Sequence, residues 1–404
     1  MGRQKVVIIG HGYTSRLGII RSLASSGCEI IVVSMVFHGR MGRFLRFEGG
    51  KPIDCCSKYV SRYYYCQAKD KNGLIRLLLE KCTDPDQKTI LIPDSDFSAA
   101  VVDDNKDLLR ERFVFPNIND YQGSVIHWMD KTVQKEHARK IGLNVAEGVI
   151  VEIKNGQYEL PENISYPCFT KPLATISGGK QFLRRCGSEA DLLRVLDKVA
   201  GMLDTNVLVE DYKHIDTEYA VVGFSDGKNV VIPAIIEFIV NSKSHFGIAR
   251  QGIVKPVDGF EEILSKFREY VAGVGFHGLF DIDFYESGGK MYFGEMNFRF
   301  GGSGYAVTRM GVNLPDMLVR SFRGESFENF SGTVSGTATY VNERMCIDDW
   351  SFYHITEKEC RNILSSADIH FVYDNSDPRP HRKLERYIRK QKLKRELRKL
   401  LKKK

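Results

Sequence analysis

Polar and apolar positions alternate most cleanly near the end of the third quarter of the chain. Over residues 279 to 300, LFDIDFYESGGKMYFGEMNFRF, side-chain character changes at almost every residue. A period of two is the signature of a half-buried β-strand. The stretch reads as two strands joined by ESGGK, a Gly-Gly hairpin turn. On the second strand Glu295, Asn297 and Arg299 share one face, while Met296, Phe298 and Phe300 take the other, toward a core. On the first, Asp281 and Asp283 share a face and Ile282 and Phe284 oppose them. A hairpin centred on Ser287 to Gly289 brings Asp283 opposite Glu295.

Elsewhere the pattern changes from region to region. KVVIIG, LGIIRSLASSG and CEIIVVSM read as strand, helix and strand around a glycine turn. The turn G-H-G-Y-T-S lacks the last glycine of a dinucleotide fingerprint, and no acid ends the second strand, so it is read as shaping a sheet. LIRLLLEKC predicts a helix, and KTILIPDSDFSAAVVDDNKDLL a buried strand running into an acid-bearing loop and a helix. Residues 1 to 120 thus form an open, doubly wound α/β unit, with ligands expected near Gly10 to Thr14 and Asp94 to Asp96. Beyond it come a helix over MDKTVQKEHARK, a strand CFTKP ending in lysine, the glycine loop TISGGKQ and the helix SEADLLRVLDKVAG. Two or three strands follow, then the hairpin and a helix over NLPDMLVRSFRG. Residues 331 to 378 are less patterned, and no internal repeat is visible.

Composition narrows the class. With 404 residues, 43% hydrophobic and 27% charged, the chain suits a soluble protein of two or three domains. No run approaches the roughly 20 apolar residues of a membrane span, and the N-terminus lacks a signal peptide's apolar region. Nine cysteines, odd in number and irregularly spaced, predict reduced thiols in a cytoplasmic protein. The net charge of +7 is misleading: residues 379 to 404 carry +12, which leaves −5 for the rest. No specific nucleic-acid binding is expected from this balance. The tail is helix-prone, with Leu384 and Ile388 on one side and Leu393, Leu397, Leu400 and Leu401 on roughly the other. Two readings stand: a solvated basic tail, or peripheral contact with an anionic surface, either the inner face of a membrane or an acidic partner.

The remaining polar positions converge on phosphate chemistry. In chain order stand Lys131, Lys171, the loop Ser177-Gly178-Gly179-Lys180, VLVEDY at 207 to 212, Glu218, Asp283, Glu295, Asn297 and Arg299. Lysines neutralise phosphate charge, and a glycine loop offers backbone N–H groups to phosphate oxygens. Facing carboxylates repel unless a cation lies between them, and carboxylate and amide oxygens are hard ligands that suit Mg2+. Singly, each feature is a surface lysine or a turn; together they make a nucleotide site.

As a set they resemble the ATP-grasp ligases. DK before a helix ending in KIGLNV, KP followed by SGGK, VEDY followed by an EY strand, and D…E-M-N-F-R stand in that family's order. The spacing of twelve between Asp283 and Glu295 matches the acidic metal ligands of biotin carboxylase-type members. The resemblance covers residues 1 to 325 and narrows, through LGIIRSLASSG and SKYVSRYYYC, to the carboxylate–amine ligase branch with D-aspartate ligase-like and carbamoyl-phosphate synthase large-subunit-like proteins. It implies a mixed α/β and α+β chain. A doubly wound pre-ATP-grasp domain spans 1–120, a lid lobe 121–212 and a metal-binding lobe 213–330, followed by an appendage at 331–378 and a basic helical tail at 379–404.

The resemblance also implies roles. Lys131 and Lys171 contact ATP phosphates, Lys171 also the adenine side, and Ser177, Gly178, Gly179 and Lys180 close over the phosphates. Glu210 and the backbone of Asp211 and Tyr212 hold adenine, with Glu218 on the ribose. Asp283, Glu295 and Asn297 bind Mg2+ (or Mn2+). Arg299 faces the transferring phosphoryl group or acyl phosphate, and Arg250 is a second candidate, read equally as a surface arginine. His11, Tyr13, Thr14 and Ser303 are candidates for substrate contact. The expected partners are a small-molecule carboxylate and amine, an amino acid or cell-envelope precursor among them, and a second copy in a homodimer. The reaction implied is C–N bond formation through an acyl phosphate. Its rivals are a kinase-like enzyme that stops at phosphorylation and a nucleotide-binding regulatory protein without turnover. The chain departs from the family's pattern in pairing Asp with Glu where many members pair two Glu, in reading N-F-R, and in a lid loop without a further glycine.

Overall fold

The computed structural model describes residues 3–11, 14–37, 51–173, 182–202, 204–245, 247–330 and 332–401, the last six by backbone alone. Five strands come first: β1 (Lys5–Gly10), β2 (Glu29–Val36), β3 (Val60–Gln67), β4 (Thr89–Pro93) and β5 (Phe113–Val114). They pair in parallel, in the order β3-β2-β1-β4-β5. β1, β2 and β4 are near-continuous apolar runs, as strands covered on both faces require. The order reverses between β1 and β4, which opens a crevice at their carboxyl ends. The helix Asp96–Asp104 starts there, with Ser95 and Ser98 forming its capping box.

β6 (Asn117–Ile118) and β7 (Asn144–Val145) are short and join a later sheet. β8 (Gly148–Ile153), β9 (Cys168–Pro172), β10 (Arg184–Cys186) and β11 (Thr205–Asp211) form an antiparallel sheet of their own, in the order β10-β9-β11-β8. The helix Glu189–Ala200 covers it with Leu192, Leu196 and Val199, one stripe at helical spacing.

The third sheet is the largest. It holds β12 (Thr217–Asp226), β13 (Val230–Val231), β14 (Ile235–Asn241), β15 (Ala249–Lys255), β16 (Phe276–Ser287), β17 (Lys290–Asn297), β18 (Ala338–Val341) and β19 (Ile369–His370). Its path runs β19-β18-β15-β14-β12-β16-β17-β7, with β13 on β12 and β6 on β16. One face carries Val221, Phe280, Ile282 and Phe284 under the helix Glu261–Val274. The other carries Ala220, Val222, Phe224 and Leu279, in one apolar cluster with Val6, Ile8, Ile20 and Ile92 of the first unit and Leu318 of the helix Leu314–Ser321. The first unit and the large sheet therefore share a core, whereas the four-stranded lobe has a separate one.

The C-terminal helix, Pro378–Leu401, is docked on the body through its first half. Leu384 and Tyr387 are buried against Ile347, Trp350 and Cys360, and Ile388 packs on the same cluster. Arg395 lies over the Tyr353 ring at 4.2 Å and donates to the Trp350 carbonyl. A fully solvated tail is therefore incorrect for residues 378 to 395: the Leu384–Ile388 side is an inner face, and Leu393 points outward, 62% exposed. All nine cysteines are free thiols. No helix among the described residues is long and apolar enough to cross a membrane.

Candidate active site

The hairpin pairs Asp283 with Glu295 and Asp281 with Asn297. A bulge follows, so that Phe284 meets Phe293 and Tyr285 meets Tyr292. Gly294 is the extra residue, and a β-carbon there would lie 2.7 Å from the Asp283 carbonyl oxygen. The bulge returns Tyr292 to the face of Glu295, where it stacks on Tyr285 at 5.5 Å. Asn297 donates to Asp283 Oδ2 at 3.4 Å. Arg299, just past the strand, donates to Asp281 Oδ2 at 2.7 Å and lies 3.5 Å from Asp96 Oδ1 of the first unit. Phe298 and Met296 enter the core under the Glu261–Val274 helix, as the alternation predicts. Phe300 does not: β17 ends at Asn297, the alternation ends with it, and Phe300 packs into the core on the opposite side.

Burial governs the charges of this face. Burial, and then the neighbouring Asp281, push Asp283 up to about 8, with Arg299 acting against them. Burial also raises Asp281, and Arg299 again opposes it. The half-buried carboxylates of Asp283 and Glu295 and the amide oxygen of Asn297 are the hard donor set that a divalent cation takes.

Three lysines surround it. Lys131 begins the helix Lys131–Lys140, capped by Asp130, and its ammonium is bonded to Glu295. Burial and the charge of Lys171 push Lys131 down to about 8. Lys171, on β9, lies 2.7 Å from Glu210 Oε2. Lys135 binds the other oxygen of Glu210 and donates to the Ala146 carbonyl at 2.8 Å. The sequence reading did not single out Lys135; its signal was the four-residue spacing from Lys131, which puts both on one helix face.

Glu210, expected beside adenine, is held between two lysines. Its carboxylate is 3% exposed and both oxygens are held by lysines. Burial raises its pKa, but Lys171 and Lys135 outweigh that and hold it below the ordinary value. The Asp211 and Tyr212 N–H groups are likewise engaged, by the Glu147 and Pro167 carbonyls at 2.8 and 3.0 Å. Glu218 lies on the site face and accepts from Asn241 at 2.6 Å. Arg250 is not the surface arginine that one of its two readings expected. Its guanidinium is buried and donates to Asp349 Oδ2 at 2.9 Å, and its charge acts on Cys346 and Cys360, which ties it to the C-terminal helices. Ser177, Gly178, Gly179 and Lys180 lie outside the described residues, as does Tyr13.

The crevice of the first unit faces Arg299. Arg16 is buried beneath it, 2.5 Å from Asp54 and 3.2 Å from Asp94, and donates to the Gly10 carbonyl at 2.8 Å. Asp94 accepts from the His11 N–H at 3.1 Å, so the buried arginine indirectly fixes the glycine turn. His11 faces Phe37 at 5.2 Å, and Phe37 faces Phe97 at 5.5 Å.

This arrangement has counterparts among solved structures. The N5-carboxyaminoimidazole synthetase of Staphylococcus aureus, in complex with ADP, matches 84% of this chain and 82% of its own at 16% identity, with a TM-score of 0.61. The chain has the ATP-grasp fold. An L-amino acid ligase of Bacillus licheniformis shares this ATP-grasp architecture at 18% identity and a TM-score of 0.59, over 84% of this chain and 80% of its own. So does the biotin carboxylase domain of the Hydrogenobacter thermophilus 2-oxoglutarate carboxylase, solved with MgADP, ADP and bicarbonate: 17% identity, a TM-score of 0.62, 84% and 74%. In sequence, the carbamoyl phosphate synthase large chain of Methanosarcina acetivorans is 25% identical over 201 residues, 48% of this chain. The chain matches only 18% of that relative's length, and 48% of the corresponding chain of Methanosarcina barkeri, at 24% identity over 47% of its own. No family model matches the chain.

Proposed function

We propose that this ATP-grasp protein is an ATP-dependent carboxylate–amine ligase that forms a C–N bond and releases ADP and phosphate. The carrying observation is the opposed pair Asp283–Glu295 on one sheet face with Lys131 bonded to it and Arg299 beside it. Asp283, Glu295 and Asn297 would hold Mg2+ (or Mn2+). No group of three His, Cys, Asp or Glu side chains that could hold a metal stands among the described residues. Phosphate oxygens of the nucleotide would complete the coordination. When bound, the cation offsets charge on the phosphoryl oxygens.

Lys131 and Lys171 neutralise the phosphates, and Glu210 with Lys135 holds Lys171 in place. Ser177 to Lys180 are assigned to the phosphates, and Glu218 meets the ribose. A carboxylate oxygen of the acid attacks the γ-phosphorus, and ADP leaves with the electron pair of the broken P–O bond. The amine then attacks the acyl carbon, loses a proton and expels phosphate. Arg299 stabilises the charge that develops in both steps. No nucleophilic side chain is needed. Nine free thiols suit a reducing, cytoplasmic compartment, and the exposed Arg382, Arg386, Arg389, Lys392 and Lys394 of the C-terminal helix would meet an anionic surface by charge alone.

The test is ADP and phosphate release with Mg2+ and a panel of amino acids, short dicarboxylates, bicarbonate and amines. Turnover that requires both an acid and an amine, and that falls roughly 100-fold or more in Glu295→Gln, supports the ligase. Turnover with acid alone and a stable phosphorylated product would instead show a kinase. Unchanged activity in Glu295→Gln would remove the proposed site.

A further inference from the structure

Tyr340 lies on β18, in the least patterned part of the sequence. Its side chain is wholly buried, yet its hydroxyl makes no well-formed hydrogen bond among the described residues; Ser303 stands beside it in a weak contact only. A buried hydroxyl of this kind has given up hydration without full replacement, and such groups occur where a ligand completes them. Its packing neighbours set the direction of the ring. Tyr340 pairs with Gly252 on β15, and its ring stacks on Phe371 at 5.1 Å with 12° between the planes. A β-carbon at 252 would meet the hydroxyl at 2.5 Å, so glycine is what lets the phenol lie across β15 toward the middle of the sheet. There its electrostatic neighbours are Asp281, Glu218 and Asp283, with Ser303 alongside.

Strand order says which part of a ligand it would meet. Along β18-β15-β14-β12-β16-β17, Tyr340 approaches Asp281 from one side, and Lys131 with Glu295 lies on the other. Arg299 is anchored on Asp281, between them. The phosphate-binding lysines are thus beyond Asp281 as seen from the phenol. A group that meets Tyr340, Ser303 and Arg299 together is the acid awaiting activation, not the nucleotide. We infer that the Tyr340 hydroxyl, with Ser303, donates to the carboxylate of the acid substrate and leaves its second oxygen to face the phosphoryl group. This rests on the ligase reading. Burial keeps the phenol protonated at any working pH, with Asp281 acting in the same sense and Ser303 against it.

Tyr340→Phe removes the hydroxyl alone. Ligand-free Tyr340→Phe is expected to melt within about 1 °C of the wild type, or above it, because the lost group makes only a weak contact with Ser303. A fall of several degrees would show that the hydroxyl holds the fold and would overturn the inference. In phosphate release from MgATP with the acid panel above, kcat/KM for the acid is expected to fall roughly tenfold or more, with KM for ATP unchanged. Equal kcat/KM in the two proteins, or an effect confined to ATP, overturns the inference and leaves the ligase standing. If the wild type turns over no acid at all, the ligase reading falls and the inference falls with it.

Discussion

Lys131 is bonded to Glu295 and surrounded by buried charge, and its pKa stands at about 8 instead of 10.5. Only the ammonium form attracts phosphate. KM for ATP should therefore rise as pH passes 8, approaching tenfold per pH unit. Lys131→Arg, which stays charged, should flatten that rise in initial-rate measurements from pH 7 to 9.5. The sign for stability is opposite. The unfolded chain still holds the proton between pH 8 and 10.5 where the folded protein has lost it, so this lysine's penalty on folding is full below pH 8 and is relieved above it. The low pKa was not legible in the sequence. It arises from burial that only the assembled site supplies, and then from Lys171, forty residues away on β9.

Among the elements, the hairpin was the most legible. Its Gly-Gly turn and strict alternation determine a register that puts Asp283 opposite Glu295 without reference to the rest of the chain. The bulge at Gly294 and the crossing of Phe300 were not legible, because each depends on where pairing stops. The helix Lys131–Lys140 was legible as a helix, but its charged run concealed which side faces inward. Lys135 and Glu210 form a buried pair that joins this helix to β11. Lys135→Met should cost about 1–3 kcal/mol, as expected when a buried carboxylate loses one of its partners, and should raise KM for ATP. Glu210→Gln should cost a similar amount. The double variant should cost less than the two together, which a double-mutant cycle by denaturant unfolding measures.

At the scale of the whole molecule, the C-terminal helix belongs to the body. Leu384 is fully buried in its cluster, and Leu384→Ala should cost about 2–5 kcal/mol in denaturant unfolding. Removing residues 379 to 404 should lower the melting temperature by several degrees. The sequence showed this helix's charge more clearly than its inner face, since the few apolar residues are diluted among cations.

The core common to the first unit and the large sheet has a consequence for protein engineering. Whole domains are attractive pieces to exchange between enzymes. Here the crevice at β1 and β4 rests on Val6, Ile8 and Ile92, which pack with Ala220, Val222 and Leu318 of the opposite partner. A chimera cut near residue 120 would replace half of a tightly interlocked interior and leave the other half unchanged. Grafts confined to loops at the crevice should fold, and transplants of the complete first unit should fail unless the facing strands travel with it.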